Sequence, residues 1–290
     1  MIWKPQDYRS SIKPTWCKGC SYYGVLSALT EVFAARQIAP HRLNVISGIG
    51  CSSRMTLLLG TFGLHTLHGR ALPVAIGSRI ANPDIPVVVV AGDGDFFSIG
   101  IGHFVHAARK NFNMTVLCLD NRMYAMTKNQ ASPTSSAGYR GTLTPFGKLS
   151  VPLNVLEFGI ACDATFVART FAGSQKHLQE TISSAFDHNG FSFVEIIAPC
   201  RTFDRDVSLA SLLPRIVDIN REYGHDPADK ERALAAAVAT YEDTSSGDAA
   251  IPVGIFWKSG TATFEERIAS VQNHRHPLPP IGSVFEKYSL

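Results

Sequence analysis

Four of the six cysteines, Cys17, Cys20, Cys51 and Cys200, stand where thiolates could grip a metal centre. Cys17-Lys18-Gly19-Cys20 has the two-residue spacing that lets one turn offer two sulfurs to the same ion or cluster. Cys51 lies in Gly48-Ile49-Gly50-Cys51-Ser52 and Cys200 in Pro199-Cys200-Arg201. Each follows a strand-like run, where backbone can wrap a ligand. Four thiolates suit either zinc or an iron–sulfur cube. One close pair with two distant singles leans toward the cube, because structural zinc sites more often use two paired knuckles. Cys118 and Cys162 fall inside regular elements and read as core fillers.

A second stretch, from Gly92 to Asn121, could hold a phosphate and a cation. Gly92-Asp93-Gly94-Asp95 follows four consecutive valines, and Asn121 ends a second apolar run twenty-eight residues after Asp93. Ligands of open α/β sheets bind outside the carboxyl ends of strands. The Asp93 carboxylate and the Asn121 amide oxygen are hard donors of the kind Mg²⁺ takes alongside phosphate oxygens and water. Glycines 92 and 94 would let backbone approach a phosphate closely. Gly-Asp-Gly alone is as often a plain turn. A dinucleotide-binding fingerprint is the rival reading, but Gly94 runs into Asp95-Phe96-Phe97 with no third glycine where it is required. The pair Gly-Asp-Gly and Asn, each after a strand, resembles the thiamine diphosphate motif. That resemblance implies Asp93, Asn121 and the backbone carbonyl of Met123 as Mg²⁺ ligands.

The elements that must carry these residues alternate between apolar β-rich runs and amphipathic runs, so helices should connect parallel strands. Helices are expected over 22–35, 74–80, 101–109, 154–160 and 174–186. Strands are expected over 43–46, 86–91, 115–119, 165–168 and 191–197. After Phe203 the composition turns polar, with a helix over 233–241, a break at Ser245-Ser246-Gly247-Asp248 and an extended, proline-bearing tail over 274–281. The organisation expected is a thiamine-diphosphate- and cluster-binding domain over 1–205 and a helical or extended, partner-docking arm over 206–290.

Composition narrows the class. The chain of 290 residues is 45% apolar and 18% charged, enough for one large α/β domain. A net charge of +3 with both signs interspersed argues against nucleic acid. The first residues hold no apolar signal segment, and the longest apolar run is far short of a membrane span, so a cytoplasmic location is expected. In a reducing cytoplasm the cysteines do not read as a disulfide framework.

Taken together, the motifs resemble the β subunits of the 2-oxoacid:ferredoxin oxidoreductases. Trp16-Cys17-Lys18-Gly19-Cys20, Gly48-Ile49-Gly50-Cys51-Ser52-Ser53-Arg54, His68-Gly69-Arg70-Ala71, the stretch from Asp120-Asn121 through Ser132-Pro133-Thr134, and Pro199-Cys200 are similar to that family's segments in the same order. Lys18 stands where proline is common, and Lys128-Asn129 where Gly-Gly is common. The resemblance covers residues 16 to about 203. It implies a mostly parallel sheet flanked by helices, the pyrophosphate-type thiamine-diphosphate-binding fold, with a C-terminal extension. It implies one [4Fe–4S] cluster on Cys17, Cys20, Cys51 and Cys200. It implies cofactor contacts from Ile49, Gly50, Cys51, Ser52, His68, Gly94, Asp95, Ala125 and Met126.

The reaction implied is coenzyme A-dependent oxidative decarboxylation of a 2-oxoacid, or its reversal, with electrons passing through the cluster to ferredoxin. An α subunit, alone or fused to a γ segment, would complete a heterodimer or a dimer of heterodimers. It would also supply the glutamate that activates the cofactor. Arg54 and Lys128 follow the Cys51 and Asn121 segments and could bind a second carboxylate, so 2-oxoglutarate is favoured over pyruvate. A non-redox thiamine enzyme would leave the four cysteines unexplained. A zinc-stabilised binding module would leave Asp93 and Asn121 unexplained.

Overall fold

The computed structural model describes residues 2–204, 206–239 and 249–273. In chain order the strands are β1 (Asn44–Ser47), β2 (Phe62–His65), β3 (Val87–Gly92), β4 (Met114–Asp120), β5 (Met123–Tyr124), β6 (Gln130–Ala131), β7 (Phe166–Phe171), β8 (Phe191–Ile197), β9 (Ile216–Asp218) and β10 (Ile251–Lys258). The helices are α1 (Tyr22–Ala35), α2 (Met55–Leu58), α3 (Ala71–Ala81), α4 (Asp93–Phe97), α5 (Ile101–Lys110), α6 (Val155–Ala161), α7 (Gln175–Asp187), α8 (Leu209–Leu212), α9 (Ile219–Glu222), α10 (Lys230–Ala239) and α11 (Phe264–Asn273).

Eight strands form one sheet in the order β2-β1-β3-β4-β8-β7-β10-β9. Neighbours are parallel except β10 against β7. The central strands are apolar along their length because helices cover both faces. Successive side chains alternate between the faces. Val88 and Val90 join α1 and α7 residues such as Leu29, Phe33 and Ile182 in one core. Val87 and Val89 join Ala75, Phe104, Leu156 and Ala237 in the other. This layering sets the functional residues at the carboxyl ends of neighbouring strands: Gly48 to Ser52 after β1, Asp93 after β3, Asn121 after β4 and Cys200 beyond β8.

The expected elements up to Ile197 are all present, with ends shifted by a few residues. Asp93–Phe97, to which the sequence assigned no element, forms the helical turn α4. Two differences have physical reasons. Asn154 caps α6 from outside it, its side chain accepting the Glu157 amide at 3.2 Å. After Phe203 the sequence reading placed helices and extended chain, whereas the structure adds β9 and β10 to the main sheet. Pro252 and Gly254 inside β10 disguise it, since proline lacks a ladder donor and glycine weakens strands. Gly254 has φ +127°.

The described C-terminal elements brace the sheet. Asn154 Nδ2 donates to the Ala237 carbonyl at 2.8 Å. Arg79 pairs with Glu265 at 2.9 Å, both nearly buried. Phe264 packs on Phe112 with ring centroids 4.6 Å apart. The break at 245–248 and the tail over 274–281 lie outside the described residues, as does the end of the helix expected to reach 241. Among the described residues no helix is long and apolar enough to cross a membrane.

Candidate active site

A cavity of about 250 Å³ opens at the ends of β1, β3 and β4. Every residue expected to touch the cofactor lines it: Ile49, Gly50, Cys51, Ser52, His68, Gly94, Asp95, Ala125 and Met126. So do the expected cation ligands Asp93, Asn121 and Met123. A second cavity of about 230 Å³ is lined by Cys17, Cys20, Cys51 and Cys200, with Arg54, Lys128 and Arg201 on its walls. The two cavities share Tyr22, Cys51, Asn121, Ala125 and Met126, so they are contiguous.

The cation side is built from buried carboxylates. Asp93 and Asp120 are 1% and 4% exposed. Thr134 Oγ1 lies 2.8 Å from Asp93 Oδ2 and 3.0 Å from Asp120 Oδ1. One hydroxyl proton cannot serve both oxygens at once. Burial raises the Asp93 pKa, against lowering hydrogen bonds from Ser132 and Thr134. Burial and then the Asp93 charge push Asp120 well above the usual carboxylate range. Two adjacent buried carboxyls of this kind are relieved by a divalent cation, so the donor set fits Mg²⁺. Asn121 is oriented from both ends of its amide. Its Nδ2 donates to the Tyr22 hydroxyl at 3.0 Å, and its Oδ1 accepts the Met123 amide at 3.1 Å.

The diphosphate side is built from glycines and one carboxylate. Asp95, 2% exposed, lines the cavity while its carboxylate is held by the neighbouring loops. Its Oδ1 accepts from Ile49 N at 3.1 Å, Gly69 N at 2.9 Å and His68 Nδ1 at 2.6 Å. Gly94 leaves room for the Tyr124 ring, whose Cε1 would lie 2.3 Å from an added Cβ. Its lack of a side chain thus serves protein packing as well as approach to a ligand.

The cysteine side is held by aromatics. Trp16 Nε1 donates to the Cys51 carbonyl at 2.7 Å, and its ring packs edge-on against Tyr22 and Tyr23. Gly19 has φ +77°, and the Arg201 guanidinium would lie 2.9 Å from a Cβ there. The positive φ favours glycine in that turn, and the Arg201 side chain packs over it. Burial, with smaller additions from the other three cysteines, pushes the Cys20 thiol up to about 11, against a backbone hydrogen bond from Tyr22. Burial, then Cys200, raises Cys51 as well, against the nearby Arg54. Such thiols become thiolates only with a compensating cation, the condition a bound metal centre meets.

Among the described residues no three His, Cys, Asp or Glu side chains are grouped as ligands of a single ion. Thiolates on one zinc would stand about 3.8 Å apart, given bonds of about 2.3 Å in a tetrahedron. A cube spreads its four sulfurs more widely, and the four cysteines line one cavity. Cys118 and Cys162 are buried away from this cavity, as expected of fillers.

The structure does not bring Arg54 and Lys128 onto the cofactor cavity itself. Both stand on the cysteine cavity, Arg54 Nη1 bonded to Thr15 Oγ1 and Lys128 exposed at φ +78°. Residues to which the sequence reading attached no role are Tyr22, Tyr124, Asp120 and Thr134. Thr134 closes the family-like stretch from Asp120, where no role attached to it. Tyr22 follows Cys20 by two positions, which was a usable signal.

The comparisons agree with this geometry. Residues 48–196 match the family model described as thiamine pyrophosphate enzyme, C-terminal TPP binding domain. Residues 200–273 match the family model for the C terminal of the pyruvate ferredoxin oxidoreductase beta subunit. The β subunit of 2-oxoacid:ferredoxin oxidoreductase 2 from Aeropyrum pernix is 35% identical over 283 residues, covering 94% of this chain and 90% of that one. The KorB subunit of 2-oxoglutarate oxidoreductase from Mycobacterium tuberculosis is 40% identical over 201 residues, 69% of this chain and 54% of that one. A solved 2-oxoglutarate:ferredoxin oxidoreductase from Magnetococcus marinus, with 2-oxoglutarate, coenzyme A and succinyl-CoA bound, superposes with a TM-score of 0.90. It is 37% identical and the match covers 99% of this chain and 96% of that one. The fold is thus the thiamine-diphosphate-binding one, and the chain belongs to the β-subunit family of the 2-oxoacid:ferredoxin oxidoreductases.

Proposed function

We propose that this chain, in the cytoplasm and joined to an α subunit, oxidises 2-oxoglutarate with coenzyme A to succinyl-CoA and carbon dioxide, or runs the reverse carboxylation. The electrons leave for ferredoxin. The observation that carries the reading is the contiguity of the two cavities through Cys51, Tyr22 and Asn121. An electron-storing cofactor and an electron acceptor must be neighbours, and these walls are common to both.

When bound, thiamine diphosphate supplies the carbon nucleophile and electron sink, and the cluster supplies single-electron transfer. The chain's own residues then hold and orient. Asp93, Asn121 and the Met123 carbonyl bind Mg²⁺. The backbone from Ile49 to Ser52, with His68 and Gly94, cradles the diphosphate, and Ala125 and Met126 cover it. Cys17, Cys20, Cys51 and Cys200 hold the [4Fe–4S] cluster.

Arg54 and Lys128, beside the shared boundary at Cys51 and Met126, are the candidate cations for the second carboxylate of the substrate. The names of the Mycobacterium tuberculosis and Magnetococcus marinus relatives support 2-oxoglutarate over pyruvate. Residues 1–205 carry both cofactors, and 206–290 are the partner-docking extension. The test is anaerobic co-purification with the α subunit, then assay of several 2-oxoacids with coenzyme A and a viologen acceptor. Preference for 2-oxoglutarate supports the reading. Preference for pyruvate overturns the substrate, and no oxidation of any 2-oxoacid overturns the function.

A further inference from the structure

We propose that Asp95 is a positioning residue that acts on the cofactor's diphosphate through His68. The proposal rests on the reading that thiamine diphosphate occupies the cavity at the ends of β1, β3 and β4.

The observations converge on one oxygen. Asp95 Oδ1 receives three N–H groups from two separate loops: Ile49 after β1, and His68 and Gly69 after β2. The shortest contact is to His68 Nδ1, 2.6 Å. A carboxylate oxygen can only accept, so Nδ1 carries a proton and Nε2 is left for the cavity that His68 lines. The Asp95 contact fixes the ring's orientation, and Nε2 donates into the cavity when the ring is the imidazolium, since a neutral ring protonated at Nδ1 leaves Nε2 an acceptor. The His68 ring is 38% exposed while the Asp95 side chain is 1% exposed, so the imidazole mediates between a buried anchor and the ligand space.

The surroundings are shaped to keep Asp95 there. Gly48 has no side chain, and a Cβ would come within 1.8 Å of Asp95 Oδ2. A Cβ at Gly69 would meet Gly100 N at 2.7 Å, and one at Gly100 would meet the Asp95 carbonyl oxygen at 2.4 Å. Asp95 Oδ2 itself is buried without a hydrogen-bond partner among the described residues, a cost that needs a reason. Direct contact with a diphosphate would set anion against anion. Turning the carboxylate toward His68 instead anchors an imidazolium between two anions, its Nδ1 donating to Asp95 and its Nε2 to a phosphate oxygen of the bound diphosphate.

The test compares Asp95→Asn, His68→Asn and the double variant in the assembled αβ complex, with Mg²⁺ present. Thiamine diphosphate affinity is read from tryptophan fluorescence quenching, and the melting temperature of the cofactor-free complex is read beside it. His68→Asn keeps a short donor toward Asp95 and loses the cavity-facing nitrogen. Each single variant is expected to weaken binding about tenfold, the difference between a charge-assisted and a neutral hydrogen bond. The double variant should be no weaker than either single one, because both act through one contact. Melting temperatures should stay close to wild type.

Wild-type affinity in His68→Asn overturns the proposal, even if Asp95→Asn does not assemble. So does a double variant about a hundredfold weaker, the product expected of independent sites. A much larger loss in Asp95→Asn than in His68→Asn, with a lowered melting temperature, shows a purely structural Asp95 and also overturns it. If the wild-type complex fails to bind thiamine diphosphate, the functional reading falls as well. If wild type binds and the variants do not differ from it, only this proposal falls.

Discussion

Gly48→Ala isolates the packing that holds the two cofactor loops together. The added Cβ would lie 1.8 Å from Asp95 Oδ2 and 2.6 Å from its Cγ. Real contacts do not approach so closely, so either the carboxylate or the end of β1 must move. The backbone at Gly48 is not in the left-handed region, so alanine suffers no conformational penalty there. On backbone entropy alone the change would stabilise by roughly 0.4–1 kcal/mol. Against this stand the three hydrogen bonds accepted by Asp95 Oδ1. Bonds to a charged group contribute about 1.5–3 kcal/mol each, and water replaces part of that when they break. Losing the equivalent of two leaves a net destabilisation of about 3 kcal/mol, so the steric term wins. For a chain of 290 residues that lowers the melting temperature by about 5 °C. If bound cofactor must re-form the same bonds, its affinity falls about a hundredfold. Calorimetry and cofactor titration of the αβ complex read both numbers. An unchanged melting temperature with unchanged affinity would refute the reasoning.

Cys51→Ala should remove cluster iron and also weaken thiamine diphosphate binding, because Cys51 lines both cavities. Cys200→Ala should remove iron alone, and equal cofactor affinity in the two variants would contradict the shared wall. Arg54→Ala in the assembled enzyme should raise KM for 2-oxoglutarate about tenfold while sparing pyruvate, the loss expected of one charge-assisted contact. An unchanged preference between the two acids would sink that role. His188 gives a pH prediction. Burial, with Lys258 nearby, lowers its pKa from 6.5 to about 4. Its Nε2 lies 2.8 Å from Thr165 Oγ1. Above pH 6.5 both states hold it neutral and its contribution is intact. As pH falls toward about 4 the unfolded chain takes the proton first, so stability drops by on the order of 3 kcal/mol and then levels off. Denaturant titrations across this window should show the slope in wild type and lose it in His188→Gln.

The strands, helices and strand-end residues were legible because each signal was local. Four valines announce a strand buried on both faces, and Asp93 and Asn121 follow their strands directly. What the sequence hid was pairing across distance. Asp95 reads as one more acidic residue of a diphosphate motif, yet its partners Ile49 and His68 lie 46 and 27 positions away. Thr134 joins Asp93 and Asp120 only once β3 and β4 lie side by side. Arg54 and Lys128 were placed by their distance along the chain from Cys51 and Asn121. That distance does not say which of two contiguous cavities a side chain faces. In β10, breaker residues masked a strand that only the sheet edge at β7 could recruit.

The most direct test is to add 2-oxoglutarate anaerobically to the purified αβ complex and watch the cluster's broad visible absorption. The account predicts brown protein with about four iron and four sulfide per β chain. Its absorption should bleach on adding 2-oxoglutarate with coenzyme A and recover on adding oxidised ferredoxin. A colourless, zinc-containing complex, or an iron-containing one that no 2-oxoacid bleaches, would contradict it.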